Sequence, residues 1–192
     1  MTDASTPNRG DADAAGETGT FAADPTDGLR FREATPDDAE RLAEVYVSAY
    51  AEIVELGYRS GASDVDADDL REWIDESLAF PVAVRASESE GSASDAGIVV
   101  GACRIREKER WDVPELCRLA VHESHKGEGI GSALLSRGET WFHEQGFDRV
   151  RMRSYTDHPY LLDMYEKRGY EVVDVYELDD HDYDVPTLEK RL

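Results

Sequence analysis

Apolar residues are spaced in two different ways along the chain beyond residue 28. In some segments they form short runs rich in Val, Ile, Phe and Tyr, which predict β-strands. In other segments they recur every three or four positions, which predicts amphipathic helices. The predicted strands are 29–34, 80–86, 97–106, 115–121, 149–155 and 170–178, with a closing strand within 183–192. The predicted helices are 35–57, 66–78, 158–168 and a segment that runs from the glycines after residue 126 to about residue 145.

This order of elements predicts a single α/β domain over residues 29–192. Strands alternate with helices after a short antiparallel meander, so a mixed sheet is expected. Residues 1–28 are rich in Asp, Ala, Thr and Gly, with Phe21 as the only aromatic residue. This composition predicts a disordered acidic N-terminal tail. The Ser- and Glu-rich segment 87–96 predicts a mobile loop.

Three alternate glycines stand between the fourth predicted strand and the helix that follows it, at positions 127, 129 and 131. Glycine allows sharp backbone turns and leaves no Cβ in front of the N–H groups. The helix adds the positive end of its dipole to the same place. The segment therefore predicts a binding site for a phosphate or a pyrophosphate.

Two common glycine-rich phosphate sites fit this segment poorly. A nucleotide P-loop needs a Lys-Ser/Thr pair directly after its last glycine, whereas Gly131 is followed by Ser132 and Ala133. A dinucleotide-binding motif opens its domain and is followed by a strand that ends in an acidic residue. Here the glycines come late in the chain, and the next strand, Arg149–Tyr155, carries arginines instead.

Three sequence blocks resemble the GNAT superfamily of N-acetyltransferases. The acetyl-CoA-binding motif of this family usually reads Arg or Gln, two residues, Gly, one residue, then Gly or Ala. It is similar to Lys126-x-x-Gly129-x-Gly131, which follows the run Leu119–His122. Met164–Tyr170 is similar to its Leu-Tyr-Glu-Lys-x-Gly-Phe segment. Leu29–Asp38 is similar to its first strand and helix start.

The resemblance implies a GNAT-like fold, in which helices flank a mixed, mostly antiparallel central sheet. It also implies an enzyme that moves an acetyl group from acetyl-CoA, its co-substrate, to a primary amine by direct transfer in a ternary complex. A catalytically silent acyl-CoA-binding sensor and a transferase for a longer acyl group stay open as alternatives. Many kinds of amine are acetylated on this fold, so the acceptor is not determined.

The resemblance implies cofactor-binding residues on the fourth strand, in the glycine-rich segment and near the last helix. Lys126 stands where the family usually has Arg or Gln, and it keeps the charge but loses the planar fork. His158 stands where many members have an asparagine near pantetheine. The predicted cofactor-binding residues are Leu119, Val121, Lys126, Gly127, Glu128, Gly129, Ile130, Gly131, Ser132 and His158.

The resemblance also implies three catalytic residues. Glu115 occupies the position where histone-acetylating members place their base, although a glutamate that opens a strand is often only solvated. Leu119 occupies a strand bulge whose unpaired backbone N–H faces the thioester carbonyl and can stabilise an oxyanion. Tyr165 matches the tyrosine that protonates the departing thiolate, and the alternative is a core tyrosine that packs beside Leu161.

The first two helices usually shape the acceptor pocket in this family. Their candidate substrate contacts are Tyr50, Glu52, Glu55 and Tyr58, and the alternative is that these residues are solvated carboxylates and core tyrosines. Two pairs of arginines on strands could recognise a substrate carboxylate, but ion pairs on a carboxylate-rich surface are the favoured interpretation. They are Arg104, Arg106, Arg151 and Arg153.

The charge balance limits the partners and suggests an environment. Acidic residues number 43 and basic residues 21, which gives a formal net charge of −22. Such a surface argues against nucleic acid and anionic membranes as partners, and it modestly favours cationic acceptors. It is tolerated best at high salt, where the screening length falls to ~3 Å at 1 M. We therefore hypothesise a salt-adapted protein; the alternative is an acidic face that binds a partner.

Few other features bear on function. No secretory or membrane-length apolar segment is recognised, and Cys103 and Cys117 are expected to be reduced core thiols, so a cytoplasmic location is expected. His122 and His125 lack a further clustered ligand, so no metal site is predicted. A homodimer is possible, because dimers are frequent in the family.

Overall fold

The computed structural model describes residues 28–86, 97–156, 158–179 and 182–192. The predicted tail, apart from Gly28, and the predicted loop 87–96 lie outside the described residues. The strands are β1 (Leu29–Glu33), β2 (Pro81–Arg85), β3 (Ile98–Arg106), β4 (Glu115–Val121), β5 (Arg149–Arg153), β6 (Glu171–Tyr176) and β7 (Val185–Arg191). The α-helices are α1 (Ala39–Glu55), α2 (Ala67–Asp75), α3 (Ile130–Glu144) and α4 (Leu161–Lys167), and short 3₁₀ turns lie at Pro36–Asp38 and Glu123–His125.

All strands belong to one sheet in the order β1-β2-β3-β4-β5-β7-β6. Each pair of neighbours is antiparallel except β4 and β5, which are parallel. The predicted mixed, mostly antiparallel sheet with flanking helices is therefore confirmed. Most element bounds agree with the prediction within a few residues, while α4 begins three residues later than the predicted start at 158.

Helices cover both faces of the sheet, because successive strand residues point to opposite sides. On one face α1 and α2 pack against alternate residues of β2 and β3, and on the other face α3 packs against the residues between them. The first cluster includes Leu42, Tyr46, Leu70, Val82, Val84, Val99 and Ala102. The second includes Ala83, Val100, Cys103, Ile130 and Leu134.

The axis of α3 lies close to β4 because one helical residue has no side chain. A Cβ at Gly138 would clash with Leu116 Cδ1 of β4. The close approach fixes where α3 begins relative to the end of β4, and therefore positions the glycine-rich segment between them. In the part of the chain that the structure describes, no helix is long and apolar enough to span a membrane.

Candidate active site

The sheet opens between its two parallel strands. Glu115 of β4 pairs with Arg151 of β5, and no further pair follows in their register. A cavity of about 830 Å³ lies beside the unpaired part of β4, with walls from β4, the glycine-rich segment, α1 and α4. This volume suits a small ligand. Because the backbone groups of β4 that point toward β5 have no strand partner there, an extended ligand with amide groups can pair with them as an added strand would.

Two of the three predicted turn glycines have left-handed backbone. Gly127 has φ +82° and Gly129 has φ +77°, conformations that residues with a Cβ rarely adopt. Gly131 lies inside the first turn of α3, and a Cβ built on it would come no closer than 3.7 Å to Val121 Cγ2. The prediction that Gly131 forms part of the turn is therefore wrong. The first N–H groups of α3 have no intrahelical acceptor, so they are available to an anion at this end of the cavity.

The side chains of the glycine-rich segment are engaged with neighbouring groups. Lys126 Nζ donates to Glu52 Oε2 over 2.9 Å, and Tyr160 Oη donates to the same oxygen over 3.0 Å. The Glu128 carboxylate pairs with Arg85 and does not line the cavity. The other predicted cofactor-binding residues do line it: Leu119, Val121, Lys126, Gly127, Gly129, Ile130, Gly131, Ser132 and His158.

The predicted bulge in β4 is present. The β3–β4 register shifts between Ala102 and Arg104, so that Arg118 and Leu119 both lie opposite Cys103. Arg118 has φ +54°, a strained value for a residue with a side chain. A bulge frees backbone groups from the ladder, and this one lies on the wall of the cavity.

Tyr165 lies on the α4 wall of the cavity and is buried, with its ring edge-on to Tyr170 at a centroid distance of 5.9 Å. Burial raises the pKa of Tyr165 to about 12. The phenol therefore carries its proton throughout the neutral range and can donate it.

His158 is a buried polar residue without a partner in the described protein. Its exposed fraction is 5%, and neither ring nitrogen has a hydrogen bond among the described residues. The ring stacks on Tyr58 and meets Tyr160 edge-on. Burial lowers the pKa of His158, with Glu52 opposing the shift and Lys126 adding to it, so the imidazole is neutral at pH 7. Because buried polar groups are seldom left unpaired, this ring and the similarly unpaired Ser154 Oγ indicate a ligand in the cavity.

Glu115 also lines the cavity, with an exposed fraction of 1%. Its Oε1 accepts from Arg153 Nε over 2.7 Å, and its Oε2 accepts from Arg106 Nη2 over 2.9 Å. Burial alone would raise the pKa of Glu115, but the two guanidiniums outweigh it and hold the pKa below its usual value. A carboxylate held in this way is a weak proton acceptor.

The predicted acceptor contacts in α1 and just after it lie in three different places. Tyr50 and Glu52 line the cavity, whereas Glu55 is exposed to solvent outside it. Tyr58 is buried and supports the cavity wall from behind, because it packs on Tyr155 and His158.

The four strand arginines make the predicted ion pairs. Arg104 pairs with Glu76, Arg106 and Arg153 pair with Glu115, and Arg151 pairs with Glu189 and Asp112.

Sequence reasoning missed the charge of the cavity. Among the described residues, its walls carry five cationic side chains against two carboxylates, Glu52 and Glu115, although the whole chain has a net charge of −22. The cations are Arg59, Arg106, Arg118, Lys126 and Arg153. Arg118 directly precedes Leu119, the residue chosen for its backbone, and no sequence pattern distinguished its side chain.

An opening between parallel strands, a glycine turn at a helix start and a cavity lined by a buried, protonated tyrosine are together typical of an acyltransferase type of fold. Residues 47–170 match the model of the acetyltransferase (GNAT) family. The chain belongs to this family and is an acetyltransferase, a class of enzyme whose co-substrate is acetyl-CoA.

Individual proteins show the same relationship. The chain is 29% identical over 147 residues to S-(2-succino)cysteine N-acetyltransferase of Bacillus subtilis (strain 168), which covers 73% of this chain and 83% of that protein. Among solved structures it resembles the PaiA N-acetyltransferase of Thermoplasma acidophilum in complex with coenzyme A, with a TM-score of 0.61, 21% identity and 85% and 99% of the two chains covered. It also resembles a GCN5-related N-acetyltransferase of Kribbella flavida, with a TM-score of 0.64, 16% identity and 86% and 99% covered.

Proposed function

We propose that the protein transfers the acetyl group of acetyl-CoA directly to a primary amine while both substrates are bound in the cavity. The single observation that best supports this proposal is the opening between β4 and β5, where unpaired backbone, the glycine turn and Tyr165 meet in one cavity. No covalent acyl-enzyme is proposed. Burial raises the pKa of both cysteine thiols, so neither is an activated nucleophile.

The residues around the opening would contact the pyrophosphate and the pantetheine of acetyl-CoA. The pyrophosphate would lie on the amides of residues 127–132, where the dipole of α3 and Lys126 supply positive potential. The pantetheine amides would pair with the main chain of Leu119 and Val121. The His158 ring, which lacks a protein partner among the described residues, would complete the contact on the α4 side.

Acetyl-CoA supplies an electrophilic thioester carbonyl. In the transfer, the amine nitrogen bonds to the acetyl carbon while the carbon–sulfur bond breaks. The Leu119 N–H at the bulge would stabilise the negative charge that develops on the carbonyl oxygen. Tyr165 would give its phenolic proton to the departing sulfur, and the proton released by the amine nitrogen would pass to a base. Exchange with solvent then restores both residues.

We assign the role of base to His158 in preference to Glu115. An alkylammonium has a reference pKa of ~10.4, so the nucleophile needs a proton acceptor beside it. Both oxygens of Glu115 already accept from arginines, which stabilises its charge and weakens it as a base. His158 is neutral and buried, and it has unengaged ring nitrogens in the described protein. Glu115 then acts by holding Arg106 and Arg153 in place.

The proposal is tested by titrating acetyl-CoA into the protein in a calorimeter and by measuring thiol release with a panel of primary amines. The panel includes S-(2-succino)cysteine, the acceptor that names the Bacillus subtilis relative. Binding together with turnover on at least one amine is the expected result. Binding without turnover on any amine would instead identify an acyl-CoA sensor, and the absence of binding would refute both functions.

The proposal extends to the setting in which the enzyme works. We propose a cytoplasmic, salt-adapted enzyme, supported by two free cysteines and by a net charge of −22. The location is tested by fractionating the source cells and probing each fraction with an antibody to the protein.

A further inference from the structure

We propose that the acceptor is a small amine that carries a carboxylate, and that Arg118 binds this carboxylate. The inference rests on the proposed acetyl transfer and adds the substrate class. It starts from the excess of positive charge on the cavity wall, which is unexpected in so acidic a chain. Carboxylates outnumber cations about two to one in this chain. An arginine without a carboxylate partner therefore needs an explanation.

Most cations of the cavity wall already have an anionic partner. Lys126 pairs with Glu52, and Arg106 and Arg153 share Glu115. Arg118 differs, because no carboxylate of the described residues lies within 4 Å of its guanidinium. Exposed Arg59, on the same wall, likewise has no ion pair within the described ranges. The positive charge left over is therefore concentrated at these two residues.

The Arg118 guanidinium is held in place without being neutralised. Its Nη1 donates to Ser60 Oγ over 3.2 Å, and its Cζ lies 5.0 Å from the centroid of the Trp73 ring. Gly61 leaves room on the other side, since even a Cβ built there would come no closer than 3.4 Å to Arg118 Nη2. Stacking fixes the plane of the guanidinium and leaves N–H donors for a planar carboxylate, which accepts two of them at once.

The position of Arg118 ties this carboxylate to the reaction. Arg118 and Leu119 are the two bulged residues of β4, so the carboxylate subsite and the proposed oxyanion donor are adjacent in the chain. The strained backbone at Arg118 is part of the same bulge. An acceptor whose carboxylate and amine are only a few bonds apart, as in an amino acid, fits this spacing. A polyamine would bring positive charge to the most positive part of the cavity.

The test compares matched acceptors on the wild-type protein by thiol release. Each L-amino acid is assayed beside its own amide, which keeps the side chain and the amine but removes the negative charge. We expect kcat/KM to be about 10- to 100-fold higher for the acid, the size of effect given by charge-assisted hydrogen bonds in a partly solvated site. Equal rates for acid and amide, or a preference for diamines, would overturn the proposal while leaving acetyl transfer itself established.

Variants then locate the effect. Arg118→Gln should lower kcat/KM for the acid, mainly through KM, so that the ratio of acid to amide falls to about one. Arg118→Lys should keep part of the preference, because it retains the charge without the fork. Arg137→Gln is the matched control, since Arg137 also stacks on an aromatic ring, Phe31, but lies on α3 outside the cavity. Arg118 would not be the carboxylate subsite if Arg118→Gln lowered kcat/KM equally for acid and amide. The same would follow if Arg137→Gln abolished the preference for the acid. The comparison on the wild-type protein tests the substrate class even if Arg118→Gln does not fold.

Discussion

Lys126 Nζ lies 2.9 Å from Glu52 Oε2, so the glycine-rich segment is joined to α1 at the rim of the cavity. The hydrogen bond from Lys126 is the main reason that the pKa of Glu52 lies below its usual value, so this carboxylate is charged across the neutral range. A phosphate of acetyl-CoA would compete with Glu52 for the same ammonium group. If Lys126 contacts that phosphate, the pair would set part of the affinity for the co-substrate.

Glu52→Gln should tighten acetyl-CoA binding by a small factor. Exposed ion pairs contribute about 0.2–1 kcal/mol, so we expect a Kd lower by a factor of roughly 1.4 to 5 by calorimetry at low salt. Lys126→Gln should weaken binding by a similar factor, and the double variant should resemble Lys126→Gln. Weaker binding by Glu52→Gln would show that Lys126 does not contact a phosphate.

Gly129→Ala should lower both the stability of the fold and the affinity for acetyl-CoA. Gly129 has φ +77°, and a residue with a Cβ costs about 1–2 kcal/mol there. Gly131→Ala is the matched control, because helical backbone and ordinary spacing to Val121 leave room for a methyl group. Unfolding in urea gives the stability, and calorimetry gives the affinity. Unchanged affinity in Gly129→Ala would mean that the turn does not hold the pyrophosphate.

Tyr165→Phe should lower kcat about 100-fold and change the Kd for acetyl-CoA little. This factor is at the low end for general acid catalysis, because a thiolate is a good leaving group even without a proton. Its control is Tyr170→Phe, which removes a hydroxyl from the neighbouring ring. Tyr170 Oη bonds to Glu139 over 3.1 Å and lies outside the cavity, so this variant should lose about 1 kcal/mol of stability and keep its kcat. Equal kcat in Tyr165→Phe and wild type would exclude Tyr165 as the acid.

His158→Asn should lower kcat by at least about 100-fold, because an amide can hold pantetheine but cannot accept a proton. The pH dependence of kcat/KM gives a second test of His158 as the base. Burial lowers the pKa of His158, so activity should be complete above about pH 6.5 and fall as the pH drops through the lowered value. This acid limb should vanish from the residual activity of His158→Asn.

Glu115→Gln distinguishes the two candidate bases. If Glu115 only positions Arg106 and Arg153, the variant should lose about 2 kcal/mol of stability and keep the acid limb, since removing one partner leaves charges unpaired near the cavity. Its lowered pKa means that this stabilisation is present above about pH 4.5 and is lost as the pH falls through the lowered value. A loss of kcat larger than that of His158→Asn would return the role of base to Glu115.

Molar KCl should stabilise the protein. Screening weakens the mutual repulsion of a surface with a net charge of −22, so the melting temperature should rise by roughly 3 °C or more, which corresponds to about 1 kcal/mol. The measurement is thermal unfolding in dilute buffer and in molar KCl, with sucrose as a control for effects unrelated to charge. A melting temperature insensitive to KCl would favour an acidic partner-binding face.

The sequence by itself determined the elements, the fold class and the position of the glycine turn. Periodicity located strands such as β3, and local chemistry identified the Gly127–Gly129 turn, because a left-handed backbone requires particular residues at particular positions. The family motif located the bulge at Leu119 and the tyrosine at 165. These features depend on residues that are close together in the sequence, so the sequence alone is enough to predict them.

Only the tertiary structure decided which charges face one another. Glu115 is near arginines that are distant in sequence, and it is their convergence that weakens it as a base. His158 lacks a protein partner in the described structure because folding buries it against the aromatic rings of Tyr58 and Tyr160. Arg118 differs from the arginines of the neighbouring strands β3 and β5, because those face carboxylates whereas its guanidinium lies beside Ser60 and Trp73. Electrostatic environment is a sum over through-space distances, and a one-dimensional pattern does not contain those distances.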